Sequence, residues 1–150
     1  MSLVIFISIC LLAGFIGSRF TFVSVKTWYR TIRKPSWNPP NWIFAPVWTL
    51  LYIMMAVAAW RVWERTDNAF GPMLMFAFQL VLNVAWSAIF FGMRNISLAL
   101  KEIALLWTAV VATMTMFWSV DPLAGILFVP YAAWVTFAAF LNYTIDRMNK

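Results

Sequence analysis

The sequence predicts an all-α integral membrane protein, one domain over residues 1–150 built as a bundle of five transmembrane helices. Three observations predict it. The chain is 64% hydrophobic and only 11% charged, whereas soluble domains are roughly half apolar and a quarter charged. The apolar residues fall into five runs of about the length that crosses a hydrocarbon core, roughly 20 residues in a helix. The charges lie between those runs. A soluble domain of 150 residues could not hide so much apolar surface, but lipid solvates the outside of a bundle.

The five runs follow in order. Residues 2–18 are apolar, have no positive segment before them and end at no clear A-x-A-like site, so they are expected to stay as a transmembrane helix. Ala13 and Gly17, like Gly14 and Ser18, are four apart and permit close helix approach. Residues 19–41 form a polar connection with Arg19, Lys26, Arg30, Arg33 and Lys34 and no acid. Within and beyond it, Lys34–Tyr52 holds four prolines and three tryptophans in nineteen residues. Pro35, Pro39 and Pro40 donate no backbone hydrogen bond and restrict the residues before them. This stretch should be a stiff aromatic loop that covers the end of the bundle. Residues 42–63 form the second span, with Pro46 in its first turns, where a helix tolerates proline best. Phe44, Trp48 and Tyr52 share one face at i, i+4, i+8. Arg61 should snorkel to the interface at its end.

Residues 69–93 form the third span, with Pro72 in the first turn. Gln79, Asn83 and Ser87 repeat every four residues beside Trp86. Amides at membrane depth are costly unless hydrogen-bonded, so this stripe should face protein. Residues 97–118 form the fourth span, with Lys101 and Glu102 near enough to the interface to stay solvated. Residues 123–145 form the fifth. Pro130 should kink it and free a carbonyl one turn earlier. Tyr131, Trp134, Ala138 and Asn142 then lie along one face.

Five spans place the termini on opposite sides. The side holding the first loop and the C-terminus carries nine of the eleven cations. Arg61 and Arg65 are alone on the other. That bias puts the first loop and the C-terminus in the cytoplasm and the N-terminus outside. The net charge of +6 is therefore a topology signal, and no nucleic-acid partner is expected.

Little catalytic chemistry is available. There is no histidine and one cysteine, Cys10, so no intramolecular disulfide, CxxC site or imidazole base exists, and no metal is expected. The acids Glu64, Asp67, Glu102, Asp121 and Asp146 sit at or near predicted helix ends, which argues against an ion-coupled carrier. What the pattern builds is a pocket: tryptophans on two inward faces, amides on a third, a basic aromatic loop above. Such a pocket suits a flat, mostly apolar ligand with a few polar or anionic groups.

The motifs WYRTIRKPSWNPPNWIF (28–44), VWTLLY (47–52), QLVLNVAWSAIFF (79–91) and VPYAAWVTFAAFLNY (129–143) together resemble the TspO/translocator family, also called tryptophan-rich sensory proteins or peripheral benzodiazepine receptors. The second and third look most like its proteobacterial branch. The resemblance implies a five-helix bundle, a homodimer in a bacterial membrane, and a pocket opening toward the first loop. It implies porphyrin ligands, protoporphyrin IX or haem, with no obligatory cofactor, and a sensory, regulatory or transport role. Light-dependent porphyrin breakdown and carriage of cholesterol or other lipophiles are the alternatives it brings. Carried over motif by motif, the ligand-contacting positions are Tyr29, Trp48, Asn83, Trp86, Trp134 and Ala138, with Trp37 and Tyr52 as further wall residues. Trp86 is bulkier than the family position requires and should alter the pocket's shape. Leu141, Tyr143 and Arg147 match the spacing of the family's proposed sterol motif. No catalytic residue is implied.

Overall fold

The computed structural model describes residues 2–150. Its elements are α1 (Leu3–Val25), the one-turn α2 (Trp28–Thr31), a 3₁₀ turn (Asn41–Ile43), α3 (Phe44–Arg65), α4 (Phe70–Ser87) with a π-helical extension (Ala88–Gly92), α5 (Ile96–Val120) and α6 (Pro122–Met148). Among the described residues there is no strand, and five helices are long and apolar enough to cross a membrane.

The ends of the helices follow from their sequences. Ser2 caps α1 by accepting from the Ile5 N–H, Asn95 caps α5 through Leu98, and Asp121 caps α6 through Leu123, with Pro122 at the first helical position. The first helix does not stop at residue 18. It runs on to Val25 because Phe20–Val25 is still largely apolar and Thr27 closes its end, donating to the carbonyls of Val23 and Ser24. The polar connection is correspondingly shorter than the charge pattern suggests. The stretch after α2 is irregular up to the 3₁₀ turn, as its prolines require, and Pro40 is extended at φ −64°, ψ 148°.

The helices close into a ring in the order α1, α3, α6, α5, α4, returning to α1. Large apolar side chains such as Val4, Leu12, Phe70 and Leu74 point outward and are exposed, as a lipid-facing surface allows. The two ends of the ring are packed differently. Toward the short connections, the core is dense. Met55, Ala59 and Val62 of α3 are fully buried, and Phe76, Phe117 and Phe128 of three helices meet with centroids 5.3–6.4 Å apart. Toward the first loop the bundle is hollow.

Small residues let α1 sit close to its neighbours on the hollow side. A Cβ on Gly14 would lie 2.8 Å from the Tyr52 ring, and one on Gly17 3.4 Å from Ser87 Oγ. The Ala13 and Gly17 pair is buried within the bundle. Its small surface serves contacts inside the chain.

Two expectations need correction. Arg61 does not snorkel freely: its Nε donates to Asp121 Oδ2 at 2.6 Å, and Arg65 Nε approaches the same oxygen at 3.5 Å. The α5–α6 turn brings an acid under both arginines, which sequence spacing could not show. Glu102 does not stay solvated either. Both its carboxylate oxygens are buried and without a hydrogen-bond partner, because α5 begins at Ile96 and Glu102 has already entered the packed part of the helix.

Asp121 is thus the clasp of the dense end. Burial pushes its carboxyl pKa up, but the Arg61 hydrogen bond and charge, the Arg65 charge and the Leu123 N–H outweigh that and hold it below its ordinary value. Its stabilising contribution is complete above the ordinary carboxylate pKa of about 4 and is lost as pH falls from there through the lower folded value. Asp121→Ala should cost at least the ~1 kcal/mol typical of a lost helix cap. Thermal melts in detergent should show the variant's deficit shrinking below about pH 4; a deficit independent of pH would remove the ionic part of the clasp.

Candidate functional site

The hollow end encloses a cavity of about 610 Å³. Its walls come from every long helix except α5, and α2 covers it. Gly14, Gly17 and Ser18 of α1 form a flat side. Opposite stand Phe44, Trp48 and Tyr52 of α3 and Trp134, Phe137, Ala138 and Leu141 of α6. Asn83 and Trp86 of α4 and Phe90 and Phe91 of its π-helical extension complete the wall.

Trp48 is the hub of the aromatic side. Its ring lies 5.7 Å from Tyr52, 6.4 Å from Tyr131 and 6.2 Å from Trp134, the last pair at 89°. Edge-to-face pairs of this kind are favoured by ring quadrupoles and hold one another's orientation. Trp134 also meets Phe137 and Phe44. Across the cavity, the Trp86 indole donates to Asn142 Oδ1 at 3.0 Å, and the Asn142 amide donates to the Ile96 carbonyl. The bulk of Trp86 is thereby fixed in one rotamer.

Beneath the aromatic wall runs a buried polar chain. The Tyr52 hydroxyl donates to Asn83 Oδ1 (3.0 Å), Asn83 Nδ2 to the Tyr131 hydroxyl (2.6 Å), and that hydroxyl to Gln79 Oε1 (2.8 Å). Gln79 Nε2 ends on the Met55 sulfur at 3.7 Å. The amide stripe of the third span thus faces protein and ties α4 to α3 and α6.

The lid is held as firmly. Tyr29 of α2 is buried and lines the cavity, and its hydroxyl donates to Asn38 Oδ1 at 3.0 Å. Burial raises its pKa, and the Asn38 bond offsets part of that rise. Lys34 Nζ lies 4.6 Å over the Tyr29 ring and donates to the carbonyls of Tyr29 (2.6 Å) and Ile32 (3.2 Å). Desolvation lowers its pKa. At the far end of the chain, Asn149 acts as a peptide mimic. Its Oδ1 accepts from the Arg33 N–H at 2.9 Å and its Nδ2 donates to the Arg33 carbonyl at 2.8 Å.

Of the residues singled out from sequence, Tyr29, Trp48, Tyr52, Asn83, Trp86, Trp134 and Ala138 come together around this one cavity. Trp37 does not line it. Trp37 lies outside α6, 5.5 Å from Phe140 and 5.8 Å from Phe137, and is 43% exposed. The proline loop folds outward over that helix, so Trp37 backs a wall residue instead of being one. The Leu141, Tyr143 and Arg147 set also divides. Leu141 lines the cavity, whereas Tyr143 is exposed with the Arg147 guanidinium 5.9 Å over its ring. Positions two apart on a helix point about 200° apart, so Leu141 and Tyr143 cannot share a face. Sequence reasoning missed Phe90, Phe91 and Phe137. The wide π turn that carries the first two has no periodic signature. Phe137 was detectable from its i+3 relation to Trp134. Among the described residues no cluster of His, Cys, Asp or Glu could hold a metal ion.

A closed ring of five membrane-length helices around an aromatic, lid-covered cavity is the architecture of an integral membrane protein. The chain belongs to the TspO/MBR family, whose model matches residues 6–148. It is 46% identical to the tryptophan-rich protein TspO of Chlorobaculum tepidum, over 99% of this chain and 96% of that one. It is 42% identical to the tryptophan-rich sensory protein of Cereibacter sphaeroides (81% and 77% covered). It is 41% identical to the human translocator protein (92% and 84% covered).

Asn149→Ala should free the Arg33 segment while leaving the cavity walls in place. Hydrogen exchange of the Arg33 amide should rise by about tenfold, the loss of roughly one hydrogen bond, with α3 amides unchanged. Unaltered exchange at Arg33 would show that the latch lies elsewhere.

Proposed function

We propose that this protein binds a porphyrin in the aromatic cavity and uses that binding to sense, regulate or move tetrapyrroles at the membrane. The observation that carries the proposal is the corner made by Trp48 and Trp134, two perpendicular indoles in one cavity wall. A flat macrocycle laid on one meets the edge of the other. The volume of about 610 Å³ falls in the range of roughly 300–1,000 Å³ that takes a drug-sized molecule. Lys26 reaches the cavity and Lys34 sits over Tyr29 at its cover, so the cationic mouth draws an anionic ring toward the cavity before it enters.

The wall favours the metal-free ring. Among the described lining residues there is no histidine, cysteine or methionine, and haem iron would find only amides, the hydroxyls of tyrosines, serines and threonines, and the Lys26 amine. Protoporphyrin IX needs no axial ligand. The same wall holds no carboxylate, so the cavity supplies no acid–base pair for a reaction of its own.

Titration with protoporphyrin IX, followed by tryptophan quenching, should saturate at one ring per chain. Trp48→Ala and Trp134→Ala should each weaken binding by about five- to tenfold, the loss of one aromatic contact of about 1–1.5 kcal/mol. Trp37→Ala should change affinity by less than about threefold, since that ring lies outside the cavity. Equal affinity in all four proteins would overturn the assignment.

Family membership supports a homodimer in a bacterial cell membrane, and the charge distribution supports an orientation with the lid and C-terminus in the cytoplasm and the N-terminus outside. A cysteine placed at Asn68, in a Cys10→Ala background, should react with an impermeant thiol reagent in intact cells, and one at Lys150 should not. The reverse pattern would invert the orientation.

A further inference from the structure

Gln79 and Tyr131 lie below the cavity and do not line it, yet they determine what its floor presents. The direction of the buried hydrogen-bond chain can be derived from its far end. Gln79 is completely buried, and one arm of its amide faces the Met55 sulfur at 3.7 Å. A thioether has no proton to give and only accepts. The amide nitrogen must face it, because the opposite placement would strand a buried carbonyl oxygen. Gln79 Oε1 therefore faces Tyr131 at 2.8 Å, and the Tyr131 hydroxyl must donate to it. A hydroxyl has one proton. Toward Asn83, 2.6 Å away, Tyr131 can then only accept, so Asn83 turns its Nδ2 that way and its Oδ1 toward Tyr52. The Tyr52 proton is committed to that oxygen at 3.0 Å.

Two consequences reach the cavity, because Tyr52 and Asn83 both line it. The Tyr52 oxygen offers the bound molecule a lone pair and no proton. Among the described residues Asn83 Nδ2 donates only to the Tyr131 hydroxyl, which leaves its second N–H unpaired. We infer that Gln79, oriented by Met55, is a positioning residue that sets this polarity, an N–H from Asn83 beside an acceptor at Tyr52, and so selects a flat ligand carrying a neutral carboxyl or amide group. In such a group the carbonyl accepts from Asn83 and the O–H or N–H donates to Tyr52. This deepens, and rests on, the porphyrin reading, since a porphyrin carboxyl carried to membrane depth is held in its neutral form by the cost of burying charge.

The test compares protoporphyrin IX with its dimethyl ester, which keeps the ring and the carbonyls but has no carboxyl proton. The wild-type protein should favour the acid. Gln79→Leu touches no cavity wall but releases Tyr131 to donate toward Asn83, which inverts the chain. It should weaken acid binding by about tenfold, the effect of one misdirected buried hydrogen bond, and leave ester binding within about twofold. Ester binding is thus the control for folding. Gln79→Glu, whose neutral carboxyl can accept from Tyr131 and turn its O–H to the sulfur, should restore the acid's advantage. Met55→Leu should move the ratio in the same direction by about threefold, the loss of a weaker bond, and carries the test if Gln79→Leu does not fold. An unchanged acid-to-ester ratio in these variants overturns the inference and leaves the porphyrin reading intact. Failure of the wild type to bind either compound overturns that reading instead. The polarity is then decided by the Tyr52 ring doublet in resonance Raman spectra, isolated by subtracting Tyr52→Phe. It should be donor-like in the wild type and shift toward acceptor-like in Gln79→Leu, and a doublet that does not move overturns the inference.

Discussion

Every polar group carried to membrane depth must be satisfied inside the protein, because lipid supplies no partner. In this bundle that constraint is met by the chain from Tyr52 through Asn83 and Tyr131 to Gln79. It joins three of the five spans at one level. A helix that rotated or slid would break a buried bond and leave an unpaired donor or acceptor, a penalty of about 1–3 kcal/mol at each orphaned group. Apolar packing alone is weakly directional among lipid-solvated helices. The polar chain therefore sets the register in which α3, α4 and α6 present their aromatic faces.

From that level the bundle differs toward its two ends. On one side, small and aromatic residues fill the space, and Asp121 ties α3 to the α5–α6 turn. On the other, the aromatic side chains are too wide to fill the ring, and glycines on α1 withdraw its surface. The result is a cavity with rigid walls. Most rings that line it touch another ring, and Trp86 is tethered through its indole N–H. A wall whose rotamers are set before binding loses less entropy when a ligand arrives.

The lid is tied to α6 at two places. Trp37 packs on the outside of Phe137 and Phe140, and Asn149, at the C-terminal end of the helix, pairs with the Arg33 backbone. α6 is thus both a cavity wall and the anchor of the cover. Any movement of the cover must be felt along the helix that carries Trp134.

Composition and periodicity alone determined the five spans, the inward stripes at Phe44–Trp48–Tyr52 and Gln79–Asn83, and the irregular proline loop. These are local consequences of the solvent and of the helical repeat, so they can be read without knowing what packs on what. Matches to a family's motifs singled out most of the cavity wall, because those motifs lie on the faces that periodicity turns inward. Only the tertiary structure decided the rest. It put Trp37 outside the cavity and split Leu141 from Tyr143. It carried Arg61 to Asp121, sixty residues away, and buried the Glu102 carboxylate. It widened the last turn of the third span so that Phe90 and Phe91 both turn inward. Each of these outcomes depends on which helix is the neighbour and at what height. That is a property of the closed ring, set by long-range hydrogen bonds and shape, and no single helix encodes it. The polarity of the cavity floor has the same character. Gln79 is legible as a polar residue facing protein, but the direction of its amide is settled only by a sulfur atom on another helix.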